Sequence, residues 1–199
     1  MVALAAGSSN LELLAEQAVE TRAPLVATSG DVQDAELLER MIASRVLALG
    51  EDYSPQILAG SEAAVQAARA PGADLVLNGI TGSIGLAPTL AALEAGKLLA
   101  LANKESLIAG GELVRRAAQA SPHDDPLIPV DSEHSAIAQA LRSGTASEVR
   151  RLVLTASGGP FRGRTREQLA GVSLEEALNH PTWSMGTVVT VNSATMVNK

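Results

Sequence analysis

The chain has 199 residues, with 15 Lys and Arg against 22 Asp and Glu, and its formal charge of −7 matches nucleic acid and anionic membranes poorly. Hydrophobic residues make up 46% and charged residues 19%, the balance of a folded core rather than a disordered tail. With no Cys, disulfides, thiolate zinc sites and a cysteine nucleophile are excluded, and one Trp, one Tyr and one Phe leave the core to Ala, Leu, Val and Ile. Length allows one or two domains. No basic segment leads into a long apolar run, so neither signal peptide nor membrane span is expected, and a reducing, cytoplasmic location fits.

The first half alternates short apolar runs with longer Ala/Leu/Glu segments at helical spacing. Met1–Ala6 reads as a strand, and Ser9-Asn10-Leu11-Glu12 as a capping box opening a helix to about Glu20. Strands are expected at 24–28, 46–49, 74–78 and 98–102, and helices at 34–43, 61–70, 88–95 (closed by Gly96) and 105–118. This rhythm predicts an α/β fold: a Rossmann-like parallel sheet with helices on both faces. The turn-rich stretch 121–126 is the linker candidate, dividing residues 1–122 from 123–199. Beyond it, a strand at 127–130, a helix at 132–141, a long strand at 150–155, two short helical pieces and a strand at 187–191 suggest part of an α+β domain. Both ends look cut: the first strand starts at Met1, and residues 193–199 open a helix that does not continue.

Several strand-to-helix junctions could carry chemistry. Gly79–Gly85 is either a phosphate cradle or a tight turn needing positive φ. Gly7-Ser8-Ser9 offers hydroxyls, and no acid, where an NAD site often carries a carboxylate for the ribose; this leans towards NADP unless it is a plain cap. In Asn103-Lys104-Glu105 a cation sits where the helix dipole repels it, at the sheet edge where ligands bind. Asp131-Ser132-Glu133-His134 sets two carboxylates one residue apart, which suits Mg²⁺ or Mn²⁺, or else a cap and a first-turn acid, with His134 a packing residue. Ser157-Gly158-Gly159 forms an anion pocket or a turn. His180-Pro181-Thr182-Trp183 puts the lone Trp in a loop, as a closing lid would.

Together these stretches resemble the 1-deoxy-D-xylulose 5-phosphate reductoisomerase family. The resemblance rests on Ala102–Leu107, Pro129–Ser135, Leu154–Phe161, His180–Gly186 and Asn192–Lys199, in family order. It implies an NADPH- and Mg²⁺- or Mn²⁺-dependent enzyme of non-mevalonate isoprenoid biosynthesis, acting on a small sugar phosphate and forming a homodimer. Asp131 and Glu133 would hold the metal. Lys104, Glu133 and His180 would be catalytic, and Lys104, Ser132, Glu133, Ser157, His180, Ser193, Asn198 and Lys199 would touch substrate. Gly7, Ser8, Ser9, Asn103, Glu105 and Gly186 would touch NADPH. It also makes residues 1–122 the NADPH-binding domain and 123–199 part of the catalytic domain. The family's pyrophosphate loop falls before Met1 and a third metal carboxylate beyond Lys199. The alternative is therefore a catalytically silent fragment with weak NADPH or phosphate binding. Ser8 and Ser9 depart from the basic residue and Asn that many members carry there.

Overall fold

The computed structural model describes residues 1–156, 158–195 and 197. Its first sheet is β1 (Ala3–Ala6), β2 (Leu25–Thr28) and β3 (Gln56–Ala59), joined through α1 (Leu11–Thr21) and α2 (Val32–Leu49) and followed by α3 (Ala63–Ala68). All pairing is parallel, with Leu4 opposite Val26 and Val26 opposite Ile57. Successive strand residues face opposite sides, and the core divides accordingly. Leu4, Val26 and Ile57 pack against Leu14, Ala18, Leu38 and Ile42 of α1 and α2. Ala3, Leu25, Ala27 and Leu58 face Ala63 and Ala67 of α3, where small side chains let the helix sit close. Helices therefore cover both faces, as the sequence predicts. Each fully buried Leu or Ile contributes roughly 1.5–3 kcal/mol.

The second sheet has the order β4 (Leu75–Asn78), β5 (Leu98–Leu101), β6 (Leu127–Pro129). The amides of Leu98 and Ala102 donate to the carbonyls of Asp74 and Asn78, and those of Leu99 and Val130 pair with Pro126 and Leu101. Both series advance in the same direction, so these pairs are parallel too. The helices here are α4 (Leu86–Glu94), α5 (Glu105–Gln119) and α6 (Ser132–Leu141). Gly96, at φ 71°, closes α4, with its amide donating to Leu93 and that of Lys97 to Ala92. Three short helices follow: α7 (Arg166–Leu169), α8 (Leu174–Leu178) and α9 (Thr187–Ser193). The chain forms two compact units: Met1–Val76, Ala87–Leu99 and Arg116–Pro126 make one, and Leu77–Leu86, Ala100–Arg115 and Leu127–Lys199 the other.

Four local expectations are corrected. Residues 46–49 are not a strand but the last turn of α2. Leu38, Ile42 and Val46 recur every fourth residue on its buried face, Leu47 is 82% exposed, and Gly50 at φ 66° ends the helix. The strand lies instead at β3, where only a short apolar stretch follows Pro55. Residues 150–155 form no strand: among the described residues nothing pairs with them, and Leu152, Val153 and Leu154 are exposed. Residues 187–191 are helical despite their β-branched run. Thr190 is buried there, and its hydroxyl donates to the carbonyl of Gly186 (3.0 Å) one turn back. Finally, α1 is capped by Asn10 and not by Ser9: Asn10 Oδ1 accepts from the Leu13 amide at 3.0 Å, after a 3₁₀ turn at Ser8–Asn10.

Candidate functional site

The richest cluster gathers at the start of α6. Asp131 follows β6 with extended backbone and caps the helix. Its Oδ1 accepts both the backbone N–H of His134 (3.0 Å) and a bond from the His134 ring at Nδ1 (2.6 Å). Among the described residues none takes Oδ2. Burial pushes the Asp131 carboxyl up. The amide and ring bonds from His134, with the charges of Lys104 and His134, outweigh that and hold it below its ordinary value. The carboxylate is thus anionic through the neutral range. The stability those bonds confer is present above the unfolded carboxyl's pKa and is lost as pH falls through the lowered folded value.

Glu133 stands two residues on, and its Oε2 accepts the Ser132 hydroxyl at 3.0 Å. Lys104 precedes α5, and its carbonyl accepts the amides of Leu107 and Ile108. Its side chain lines a cavity of about 160 Å³ together with Asp131, His134, Ile108, Leu127 and Pro129. The cation expected at the sheet edge and the first carboxylate therefore share one cavity. Glu133 lies on the rim of a wider cleft of about 580 Å³ formed by α6 and residues 143–155. The donor set is hard oxygen, as Mg²⁺ and Mn²⁺ prefer. Among the described residues no three metal-type side chains converge. Two carboxylates with water or substrate oxygens completing the shell is an ordinary way for Mg²⁺ to bind, so the donor types fit the ion, although Asp131 and Glu133 line different cavities.

Beside this cluster, Asn103 is 2% exposed and its side chain is fully engaged. Its amide donates to the carbonyls of Ile80 and Gly82, and its oxygen accepts the backbone N–H (2.8 Å) and the hydroxyl of Ser106. Asn78 adds a bond to the Gly85 carbonyl (2.9 Å) and accepts from the Ile80 amide (3.1 Å). The two Asn side chains thus pin the glycine loop 79–85, in which Gly82 adopts φ 87°. A Cβ on Gly85 would meet the Asn103 amide at 2.7 Å. Glu105 accepts a 2.6 Å bond from Asn192, tying α5 to α9.

At the same end of α9, the Ser193 hydroxyl donates to the Thr190 carbonyl at 2.7 Å. A Cβ on Gly159 would stand 2.6 Å from the Ser193 carbonyl oxygen. Gly159 and the backbone of Ser193 are therefore adjacent. Gly159→Ala is expected to cost on the order of 1–3 kcal/mol, for its φ of 60° and for this clash. Gly163→Ala, also at positive φ but facing open space, is expected to cost less. Thermal unfolding of both variants checks this, and equal midpoints would contradict the close packing. Gly186 caps α9 with extended backbone. Ser157, Asn198 and Lys199, expected on the phosphate side, lie outside the described residues.

His180 is buried, and its Nδ1 accepts the amides of Thr182 (3.1 Å) and Trp183 (3.0 Å), so its proton sits on Nε2. Trp183 is 61% exposed. In the other unit, Gly7-Ser8-Ser9 leaves the end of β1 exposed, with the Ser29 amide donating to Ala6 beside it. The NADPH contacts implied by resemblance are thus divided between units: Gly7, Ser8 and Ser9 in the first, Asn103, Glu105 and Gly186 in the second. Two roles were not expected from sequence: the His134 ring on Asp131 and the Asn78–Asn103 brace. An Asp with a His three residues later at a helix start is the one signal that hints at the former.

Comparison with known proteins follows the same lines. The family model for 1-deoxy-D-xylulose 5-phosphate reductoisomerase matches residues 1–111, and that for its C-terminal domain matches 127–199. The reductoisomerase of Arthrobacter sp. (strain FB24) is 62% identical, aligned over 100% of this chain and 49% of its own length. That of Beutenbergia cavernae is also 62% identical, over 100% and 48%. A solved reductoisomerase from Zymomonas mobilis in complex with NADPH superposes with a TM-score of 0.77 at 38% identity, covering 98% of this chain and 47% of its own. A DOX-P reductoisomerase solved with NADPH, fosmidomycin and magnesium gives 0.74 at 35%, covering 99% and 48%. The chain spans about half the length of the curated relatives it matches.

Proposed function

The chain belongs to the 1-deoxy-D-xylulose 5-phosphate reductoisomerase family, and on that premise we propose that its protein rearranges and reduces 1-deoxy-D-xylulose 5-phosphate to 2-C-methyl-D-erythritol 4-phosphate, using NADPH and Mg²⁺ or Mn²⁺. The observation that carries this reading is the start of α6: an ionised, oriented Asp131, with Glu133 two residues on and Lys104 on the same cavity as Asp131. Relatives solved with NADPH and magnesium support it. We further assign residues 1–122 to NADPH binding and 123–199 to the catalytic domain, in line with the gap between the two matched family models at 111 and 127. On the same premise we propose that the protein is cytoplasmic and a homodimer. Separately, no described helix is long and apolar enough to cross a membrane.

In this reading Asp131 and Glu133 present carboxylate oxygens to the cation, which would draw off charge from the substrate carbonyl and neighbouring hydroxyl as the carbon skeleton shifts. NADPH would supply the hydride that reduces the resulting aldehyde. Lys104 and Ser132 hold the substrate backbone, the ammonium countering oxyanion charge from the cavity wall. Ser157, Ser193, Asn198 and Lys199 receive the phosphate. His180 would touch substrate, while its Nδ1 anchors the Trp183 segment, so loop and ring move together. That loop closes over the substrate and excludes water. Gly7, Ser8, Ser9, Asn103, Glu105 and Gly186 are the residues assigned to NADPH, and Asn103 also fixes the loop 79–85.

Trp183 is the only Trp in the sequence and is exposed, so it reports closure directly. Addition of 1-deoxy-D-xylulose 5-phosphate with Mg²⁺ is expected to shift its emission to the blue as the indole is buried. The shift should be absent with a chelator or in His180→Ala. Emission unchanged at saturating substrate and Mg²⁺ would count against the closing loop and the substrate assignment together.

A further inference from the structure

We propose that His134 is the positioning residue for Asp131: its ring pins Oδ1 and so leaves Oδ2 turned out for a divalent cation. The inference rests on the metal reading above, but not on any role for His134 in binding substrate.

A helix cap needs one hydrogen bond from a backbone N–H to the capping oxygen. The His134 amide already supplies it, at 3.0 Å. The ring bond at 2.6 Å goes to the same oxygen and is surplus to capping. With the amide alone, the carboxylate plane could swing about its last torsion at little cost, since that torsion is broad. With both donors converging on one oxygen, swinging the carboxylate plane out of that orientation forfeits a charge-assisted bond as well. An ionised carboxylate only accepts, so the His134 Nδ1 must carry the proton, and the ring is held as a donor.

Its surroundings agree. His134 sits one helical turn inside α6 and lines the same cavity as Lys104 and Asp131. Lys104 draws on the same carboxylate electrostatically. The neighbouring Glu133 has its own local holder, the Ser132 hydroxyl at 3.0 Å. Each carboxylate of the pair is thus bonded by a side chain within three residues of it. Partners of this kind, bonded to a ligand rather than to the ion, commonly change metal affinity by about 10–100-fold.

The test uses three variants of the whole chain with Mn²⁺ alone as probe, free ion being followed by electron paramagnetic resonance from micromolar to millimolar concentration. An Asn side chain can set its amide nitrogen where Nδ1 lies; a Gln reaches the position of Nε2. His134→Ala and His134→Gln are expected to weaken Mn²⁺ binding by about tenfold or more, and His134→Asn to restore it to within about threefold of the unsubstituted chain. All three keep the capping amide, so far-ultraviolet circular dichroism should be unchanged, and urea midpoints measured alongside separate folding from affinity. Unaltered Mn²⁺ affinity in His134→Ala, or equal affinities in the Asn and Gln variants, would overturn the positioning role while leaving the metal reading standing. Asp131→Asn separates the two claims. If it binds Mn²⁺ as the unsubstituted chain does, the metal reading fails, and the positioning role falls with it.

Discussion

Asp131→Asn is expected to lower turnover by on the order of 10²–10³, the usual cost of one transition-state contact, while NADPH affinity stays within a few-fold. The substitution is nearly isosteric. The Asn oxygen still accepts the His134 amide and ring, so the α6 cap survives. What disappears is the negative charge, and with it the attraction to a cation and the balance against Lys104 across their shared cavity. Steady-state turnover at saturating Mg²⁺, with NADPH titrated separately by fluorescence, separates the two effects. Near-normal turnover would remove Asp131 from the metal site; parallel loss of NADPH binding would point to misfolding of the second unit.

Asn103→Ala is expected to destabilise the protein by about 3 kcal/mol, because it removes four bonds at once, two from buried Ser106 and two to the part-buried carbonyls of Ile80 and Gly82, each worth roughly 0.5–1.5 kcal/mol. The carbonyls of Ile80 and Gly82 lose a donor, and the amide and hydroxyl of Ser106 lose an acceptor. Asn103→Asp sharpens the test. It keeps the shape and the bonds from Ser106, yet turns an anionic oxygen towards two carbonyls. It should be at least as damaging as Ala. Urea unfolding of both variants checks this; an Asp variant as stable as the parent would show that the brace on the glycine loop is not made through the amide.

The βα rhythm was legible because helix and strand periods differ and most caps are local. α6 begins and ends where the sequence places it, since Asp131 caps it and the apolar spacing runs through Leu141. Legibility failed where tertiary contacts outvote local preference. The run Val46–Leu49 is short and apolar enough for a strand, but α2 already has its buried face in register through Val46. Thr187–Val191 carries β-branched side chains, yet it becomes helical where Thr190 bonds backwards and Asn192 reaches Glu105. β3 has too few apolar residues to stand out before it pairs with β2.

The site shows the same division. Asp131, Glu133 and Lys104 could be placed from sequence because each stands at a strand-to-helix junction, where backbone geometry already fixes the direction in which the chain presents them. The His134 ring on Asp131 depends on a side-chain rotamer, and the Asn103 bonds depend on a loop more than twenty residues away, measured from Asn103 to Gly82. The first leaves only an Asp with a His three residues on at a helix start, and the second leaves no pattern in spacing. The proximity of Gly159 to Ser193 is likewise a product of folding.

The central claim, that the start of α6 binds the divalent cation on which NADPH-dependent turnover of 1-deoxy-D-xylulose 5-phosphate relies, is tested most directly by following the absorbance of reduced nicotinamide. The assay takes the protein that carries this sequence, NADPH, substrate, and Mg²⁺ or Mn²⁺. The account predicts NADPH oxidation that requires substrate, vanishes with a chelator, returns with added Mn²⁺, and is lost in Glu133→Gln. Oxidation that persists in the chelator, or in Glu133→Gln at full rate, would contradict it.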